Sequence, residues 1–389
     1  MHRDRFPGLA DGWARLDGPA GTQMLDSAIE AMSHWMRSGD AANHGGAFQA
    51  AHRTDALLER ARTSVARLLG GAPGEIAFGP SMTALTMRFS AAIGRTLQPG
   101  DELVCTRLDH DANVAPWLIA AERAGATVRF ADPDPDTLEL PAATVAALLT
   151  ERTRWVAVTA ASNAVGTIPD LPAIVAAAHA AGARVFVDAV HATPHRVVDV
   201  AALDCDALAC SAYKWFGPHV GVLWARRGLL EELTPDKLRP SSDDAPDRWE
   251  LGTLPFESLA GVAAAADFLH ALDREELRRH EEDLLGRMTG GLQAIEGVTL
   301  YGAARDRTPT VMFTVAGLSS AQVAAALAAE GVAVWDGDYY AFELSHQLGL
   351  AEHGAVRAGC VAYNDTDDVD RLLSAVANLR PAATAEATR

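Results

Sequence analysis

Arg184-Val185-Phe186-Val187-Asp188, followed by Ser211-Ala212-Tyr213-Lys214-Trp215-Phe216-Gly217-Pro218, is the stretch on which the fold turns. The first five residues read as a buried strand that ends in a carboxylate. Open α/β sheets place their ligands at that edge. Residues 220–224 form the next apolar strand, so Lys214 stands between two buried strands. A solvated loop is the ordinary place for a lysine. Here the neighbours are Ala209, Cys210, Trp215 and Phe216, and such surroundings disfavour the charged ammonium. That suits an amine that forms an imine.

Outward from this stretch, residues 154–158 read as another buried strand. Leu171-Pro172 opens a helix, with proline placed where its missing N–H costs little, and Gly182 suits the C-terminal cap. Strand, helix and strand in this order imply a right-handed crossover and a mostly parallel sheet. Residues 102–105 and 127–130 fit the same sheet. Beyond residue 260 the pattern changes to a long charged helix (273–286, continuing toward Leu292), short strands at 310–314 and 332–335, and helices at 320–330 and 367–379. No internal repeat is present. The expected organisation is an N-terminal segment (1–20), which the resemblance given below implies lies near the active site, a large α/β domain (21–260), a smaller α+β domain (261–380) and a flexible tail (381–389).

Composition excludes several classes. The formal net charge of -18, spread over 389 residues, argues against nucleic acid as a partner, because phosphate binding needs a concentrated basic surface. A local pocket for one small anion stays compatible with it. No run of 18 apolar residues and no signal-peptide core is present, so neither membrane insertion nor export is expected and the location is read as cytoplasmic. Four sparse cysteines (Cys105, Cys205, Cys210, Cys360) lack a CxxC pairing. They suggest neither a disulfide framework nor zinc, and free cysteines are most often buried. No GxGxxG follows a strand, which disfavours a nicotinamide enzyme. His191 and His195 are four apart, but Pro194 between them and the absence of further ligands make a metal site unexpected.

A lysine that forms an imine, near a strand-end carboxylate, is what pyridoxal 5'-phosphate (PLP) requires. The carboxylate keeps the ring nitrogen protonated, so that the ring withdraws electrons. The phosphate needs donors at a helix N-terminus, and Gly79-Pro80-Ser81-Met82-Thr83 leads into a helical run. That loop alone would equally be a simple N-cap.

Asp188-x-x-His191, with the segment through Lys214 to Trp224, closely resembles the cofactor region of class V aminotransferase-fold enzymes. Group II cysteine desulfurases and selenocysteine lyases are the nearest in pattern. Leu16-Asp17-Gly18-Pro19-Ala20-Gly21 resembles the opening turn near the substrate in that family. Leu108-Asp109-His110-Asp111-Ala112-Asn113 is similar to the segment whose histidine stacks on the pyridine, and Ser162-Asn163-Ala164-Val165-Gly166-Thr167 to a Ser-Asn-x-x-Gly-Thr motif. The resemblance covers nearly the whole chain. It implies PLP fold type I, with a mixed, mostly parallel seven-stranded-type sheet.

It also implies roles. Lys214 is the Schiff-base lysine and mobile acid/base; Asp188 pairs with the pyridinium; His110 stacks on the ring and, with Lys214, is catalytic. Asn163 and His191 contact the ring hydroxyl, His191 standing where many relatives have Gln. Met82, Thr83, Ser211 and Tyr213 hold the phosphate, Tyr213 replacing the usual His. Gly252 and Thr253, in RWELGT (248–253), reach into a second copy's phosphate site, which implies a homodimer with shared active sites. Ala20, Gly21 and Tyr340 lie near the substrate. Val356-Arg357-Ala358-Gly359-Cys360 resembles the late strand whose arginine takes an α-carboxylate through two parallel hydrogen bonds. The ordinary alternative for Arg357 is a surface ion pair.

The departure lies at Val334-Trp335-Asp336-Gly337-Asp338-Tyr339-Tyr340-Ala341. Tyr340 stands where desulfurases carry the cysteine that becomes a persulfide. A tyrosine cannot, and its phenol, with a pKa of about 10, is an acid near neutral pH. Cys360, three residues past Arg357, is expected to face the other side of its strand. The leading expectation is a cysteine desulfurase-like carbon–sulfur lyase acting on a small amino acid. An aminotransferase or an isopenicillin-N-epimerase-like racemase is the near alternative, and a non-catalytic scaffold or sulfur-relay partner the distant one.

Overall fold

Alternation along the central strands layers the molecule. Val185 and Val187 enter one hydrophobic cluster and Phe186 the other; likewise Val156 and Val158 face one side while Trp155 and Ala157 face the opposite one. Strands that bury both faces read as near-continuous apolar runs, which is why RVFVD and WVAV stand out in the sequence. The structure, a computed structural model, describes residues 2–379; the tail expected at 381–389 lies outside them.

A two-residue strand, β1 (Ala14–Arg15), precedes the strands of the central sheet. These are β2 (Ile76–Gly79), β3 (Glu102–Thr106), β4 (Thr127–Ala131), β5 (Thr153–Thr159), β6 (Arg184–Asp188), β7 (Ala207–Ser211) and β8 (Gly221–Ala225). Their order is β2-β8-β7-β6-β5-β3-β4. Only β8 runs against its neighbours, and every other pairing is parallel. This is the mixed, mostly parallel seven-stranded sheet expected. Helices Met82–Gly94, Ala115–Ala124 and Leu171–Ala180 supply crossovers. Asp170 caps the last of them by accepting from Ala173 N–H, and Pro172 sits in its first turn. Phe89, Trp117, Trp155, Phe186 and Trp249 pack beneath one face through edge-on, tilted and, between the two tryptophans Trp117 and Trp155, stacked contacts. Burying each such side chain stabilises the fold by about 1.5–3 kcal/mol.

A second sheet, in the order β12-β13-β10-β9, is formed by β9 (Val298–Tyr301), β10 (Thr310–Val315), β12 (Trp335–Gly337) and β13 (Ala355–Gly359). The single strand expected at 332–335 is in fact two. β11 (Val332–Ala333) pairs with β1, whereas β12 pairs with β13, so the chain changes sheet at Val334. The boundary expected at residues 260/261 falls inside a continuous helix, Phe256–Ala271, which packs against Asp26–Arg37 and Gln49–Leu69. Its small residues (Ala260, Gly261, Ala263, Ala265) permit that close approach. Among the described residues, no helix is long and apolar enough to cross a membrane.

Candidate active site

Register sets the floor of the site. Gly79, Gly221 and Ser211 are partners in one row across β2, β8 and β7, and Thr159, Asp188 and Ala209 in another across β5, β6 and β7. The second row lies at the carboxyl ends of parallel strands, the ligand edge of such sheets.

Above the first row the chain leaves β2 and turns into the helix Met82–Gly94. Ser81 caps it, its hydroxyl accepting from Ala84 N–H at 3.1 Å. The N–H groups of Met82 and Thr83 have no earlier turn to bond. With the positive end of the helix dipole they make an anion seat. Ser81, Met82, Thr83, Ser211 and Tyr213 line this end of a cleft.

Lys214 closes the short turn Ala212–Lys214 that follows β7. The N-terminal segment pins that turn: Thr22 donates through its N–H and its hydroxyl to the Tyr213 carbonyl, and its hydroxyl accepts from Phe216 N–H. The Lys214 ammonium donates to the Pro19 carbonyl. Burial drives the Lys214 pKa down to about 7, the Arg357 charge adds to this, and Asp188 opposes it. Burial also drives the Asp188 carboxyl up to about 6, against a hydrogen bond from Val190 N–H at 2.9 Å and the attraction of Lys214. Amine and carboxyl therefore both titrate close to neutrality. Perturbed pairs of this kind mark reactive sites.

His110 lines the same cleft. Its Nδ1 accepts from Ala112 N–H at 3.0 Å, and burial pushes its pKa down to about 4, so the ring is neutral. Beneath it, the fully buried Asp109 carboxyl accepts from Thr106 and Asn113, while Trp117 donates to Asn113. Asn163 and Asp188 also face the cleft, as does His191. His191 Nε2 lies 3.0 Å from both Thr308 Oγ1 and Thr310 Oγ1, so this nitrogen is already engaged by the start of β10 and the loop before it. His195 pairs with Glu281 at 2.8 Å. No metal-binding cluster is found among the described residues.

The cleft opens into a mouth walled by Ala20, Trp335, Asp338, Tyr339, Tyr340 and Arg357. Arg357 is 4% exposed and has no ion pair among the described residues. Its Nη1 donates to the Asn163 carbonyl at 2.8 Å, while its Nε has no partner. A buried guanidinium with one edge unpaired is costly unless an anion completes it. Tyr339 and Tyr340 both adopt left-handed backbone, at φ 54° and 59°, at a cost of about 1–2 kcal/mol each. Asn163 Nδ2 and Asp111 N–H hold their carbonyls at 2.9 and 2.7 Å. The exposed Tyr340 ring stacks on His110, centroids 5.3 Å apart.

Met82, Thr83, His110, Asn163, Asp188, His191, Ser211, Tyr213 and Lys214 thus meet in one cleft, and Ala20, Tyr340 and Arg357 at its mouth. Gly21 approaches the Tyr213 ring. Gly252 and Thr253 are exposed and line neither space. Sequence reasoning placed Pro19 in the opening turn but gave it no role, because it meets Lys214 through its carbonyl and leaves no side-chain signal; it missed Thr159. The strand-end position of Thr159, level with Asp188, was the available clue.

All four cysteines are buried, and none lines the cleft or the mouth. Burial raises every thiol pKa, those of Cys205 and Cys210 to about 12. Cys360 packs with Val356 and Ala358 in the core of the second sheet, on the side away from the mouth that Arg357 lines.

The model of the family "Aminotransferase class-V" matches residues 14–372. Cysteine desulfurase of Pectobacterium atrosepticum is 33% identical over 93% of this chain and 91% of its own length. An uncharacterized protein of Mycobacterium tuberculosis is 32% identical over 97% and 98%. Among solved structures, the cysteine desulfurase CsdA of Escherichia coli superposes with a TM-score of 0.88 at 29% identity, covering 96% of each chain. The apo cysteine desulfurase of Thermococcus onnurineus gives a TM-score of 0.91 at 27% identity, again over 96% of each. The chain belongs to the class V aminotransferase family, as a cysteine desulfurase-like enzyme that uses PLP.

Proposed function

We propose that the chain is a carbon–sulfur lyase that cleaves a cysteine-like amino acid and releases the sulfur as a free thiol or sulfide. The observation that carries this is the burial of all four thiols away from the cleft and its mouth. Substrate sulfur thus has no protein thiolate to attack it, and the thiolate is the nucleophilic form.

The residues present fit PLP. The anion seat at Met82 and Thr83, with Ser211 and Tyr213, suits the phosphate; buried Asp188 suits the ring nitrogen; His110 suits the ring face. The buried Asn163 Oδ1 lacks a partner, which leaves that amide open toward the ring hydroxyl, with His191 beside it. When bound, the cofactor withdraws electrons from the α-carbon of an attached amino acid. The rest falls to the chain. Lys214, held near neutrality by burial, takes the α-proton. Arg357 fixes the α-carboxylate, and Ala20, Gly21 and Tyr340 border the side chain. The carbon–sulfur bond then breaks with its electron pair on sulfur, which takes a proton from solvent at the open mouth. Hydrolysis leaves pyruvate and ammonia.

The exposure of Gly252 and Thr253, beside the 58% exposed Leu251, supports their reaching the phosphate end of a second copy, in a homodimer with shared sites. Four unpaired cysteines favour a reducing, cytosolic setting. The test is to offer the PLP-loaded protein cysteine, cysteine sulfinate and S-alkyl cysteines. Pyruvate with an equivalent of thiol from the S-alkyl substrates is expected. Silence across the panel, or products of transamination or epimerisation alone, defeats the proposal.

A further inference from the structure

Arg357 does not stand alone at the mouth. Its guanidinium carbon lies 4.6 Å from the centroid of the Tyr339 ring, and its Nη1 donates to the Asn163 carbonyl. Asn163 Nδ2 in turn donates to the Tyr339 carbonyl, and the Tyr339 hydroxyl donates to the carbonyl of Ala355, two residues before Arg357 on β13. The contacts close a ring of three residues. Arg357 comes from β13, Asn163 from the loop after β5, and Tyr339 from the segment after β12. All three are nearly buried, at 4%, 8% and 9% exposure.

Spending Nη1 on Asn163 decides which edge of the guanidinium remains. Nε is buried without a partner, and the edge made by Nε and Nη2 is the one that can take a carboxylate with two parallel hydrogen bonds. An arginine side chain has many rotamers, so such an edge is useful only if something holds the plane. The flat face of Tyr339 does that, by cation–π contact at a desolvated position. Tyr339 holds left-handed backbone, φ 54°, while its carbonyl and its ring meet two different partners.

We infer that Tyr339 is the positioning residue for substrate carboxylate recognition: its ring fixes the plane of the Arg357 guanidinium and leaves the unpaired Nε edge for the carboxylate. This rests on the proposed amino-acid chemistry, with Arg357 as its carboxylate-binding group. Tyr339 touches no reacting atom and plays no part in proton transfer. Its neighbour Tyr340, 69% exposed, is a separate matter, since its ring lies on His110.

The experiment titrates the visible absorbance of PLP-loaded protein with L-alanine and with L-alaninamide, which lacks the carboxylate. Wild type, Tyr339→Phe and Tyr339→Leu are compared, and kcat and KM are measured with an S-alkyl cysteine. Wild type should bind alanine far better than its amide, and Tyr339→Phe, which keeps the ring, should preserve that preference. Tyr339→Leu should weaken alanine binding and raise KM by about tenfold while alaninamide binding and kcat change little. Equal discrimination in wild type and Tyr339→Leu overturns the inference and leaves the proposed function intact. So does loss of discrimination in Tyr339→Phe, the variant that keeps the ring and guards against a folding defect in the leucine variant. A wild type that does not distinguish alanine from alaninamide removes Arg357 from carboxylate binding, and the role of Tyr339 falls with it.

Discussion

Gly221 lies so close under Ser81 that a Cβ added to it would fall 2.2 Å from the Ser81 carbonyl carbon and 2.5 Å from the Met82 nitrogen. Both neighbours are backbone, so neither can rotate away. The strand of the active lysine's own hairpin, β8, thereby sets the height of the turn that presents the Met82 and Thr83 N–H groups.

Gly221→Ala should therefore lift that turn and weaken the anion seat. The expected outcome is a loss of about 1–3 kcal/mol of stability from overpacking, with PLP retained at least tenfold less tightly, roughly 1.4 kcal/mol. Equilibrium dialysis at fixed pH checks it. A variant that destabilises the protein yet keeps full cofactor affinity would show that the turn does not hold the phosphate.

The Lys214–Asp188 pair predicts how cofactor attachment depends on pH. Only the neutral amine attacks an aldehyde, and burial brings Lys214 to about 7. In cofactor-free protein the attachment rate should rise from pH 6 to 8 and level off above, whereas an ordinary lysine would continue rising toward about 10.4. Asp188 favours the ammonium, so Asp188→Asn should move the midpoint to lower pH. A stopped-flow midpoint near 10, or one unmoved by Asp188→Asn, contradicts the pairing.

Much of this site was legible in the sequence because its chemistry sits in side chains at strand ends. Asp188 closes β6 as read from RVFVD, and Ser211 closes β7 just before the lysine turn. Other features were not legible, because they arise from tertiary contact. The hold of Thr308 and Thr310 on His191 Nε2 joins residues over a hundred positions apart, and the expectation that His191 serves the ring hydroxyl had no means of weighing it. The split of residues 332–335 between two sheets was hidden too. An apolar run shows burial but not which strand it pairs with.

Arg357→Lys should keep the fold and the cofactor but raise KM for the amino acid by roughly thirtyfold, about 2 kcal/mol, because a lysine cannot offer two parallel donors. Arg357→Ala should do worse. Steady-state kinetics on the same S-alkyl cysteine checks both, and a KM unchanged in Arg357→Lys would show that a single charge suffices.

Thiol chemistry offers an independent check. With Cys105, Cys205, Cys210 and Cys360 buried and their pKa values raised, iodoacetamide should label none of them in the folded protein at pH 8. Carbon–sulfur cleavage should persist undiminished. Activity that falls in step with one equivalent of label would instead place a thiol in the reaction.

Composition makes the attachment of the cofactor to Lys214 unusually simple to test. The chain contains two lysines, Lys214 and Lys237, and Lys237 is committed to Asp243 at 3.0 Å. Wild type and Lys214→Ala, each loaded with PLP, are reduced with borohydride, digested and mapped by mass spectrometry, with absorption spectra taken before and after. The expected result is a visible band in wild type that reduction abolishes, with the pyridoxyl mass on the Lys214 peptide, and no covalent label in Lys214→Ala. Label on Lys237, or a wild-type protein that stays colourless when PLP is added, would contradict it.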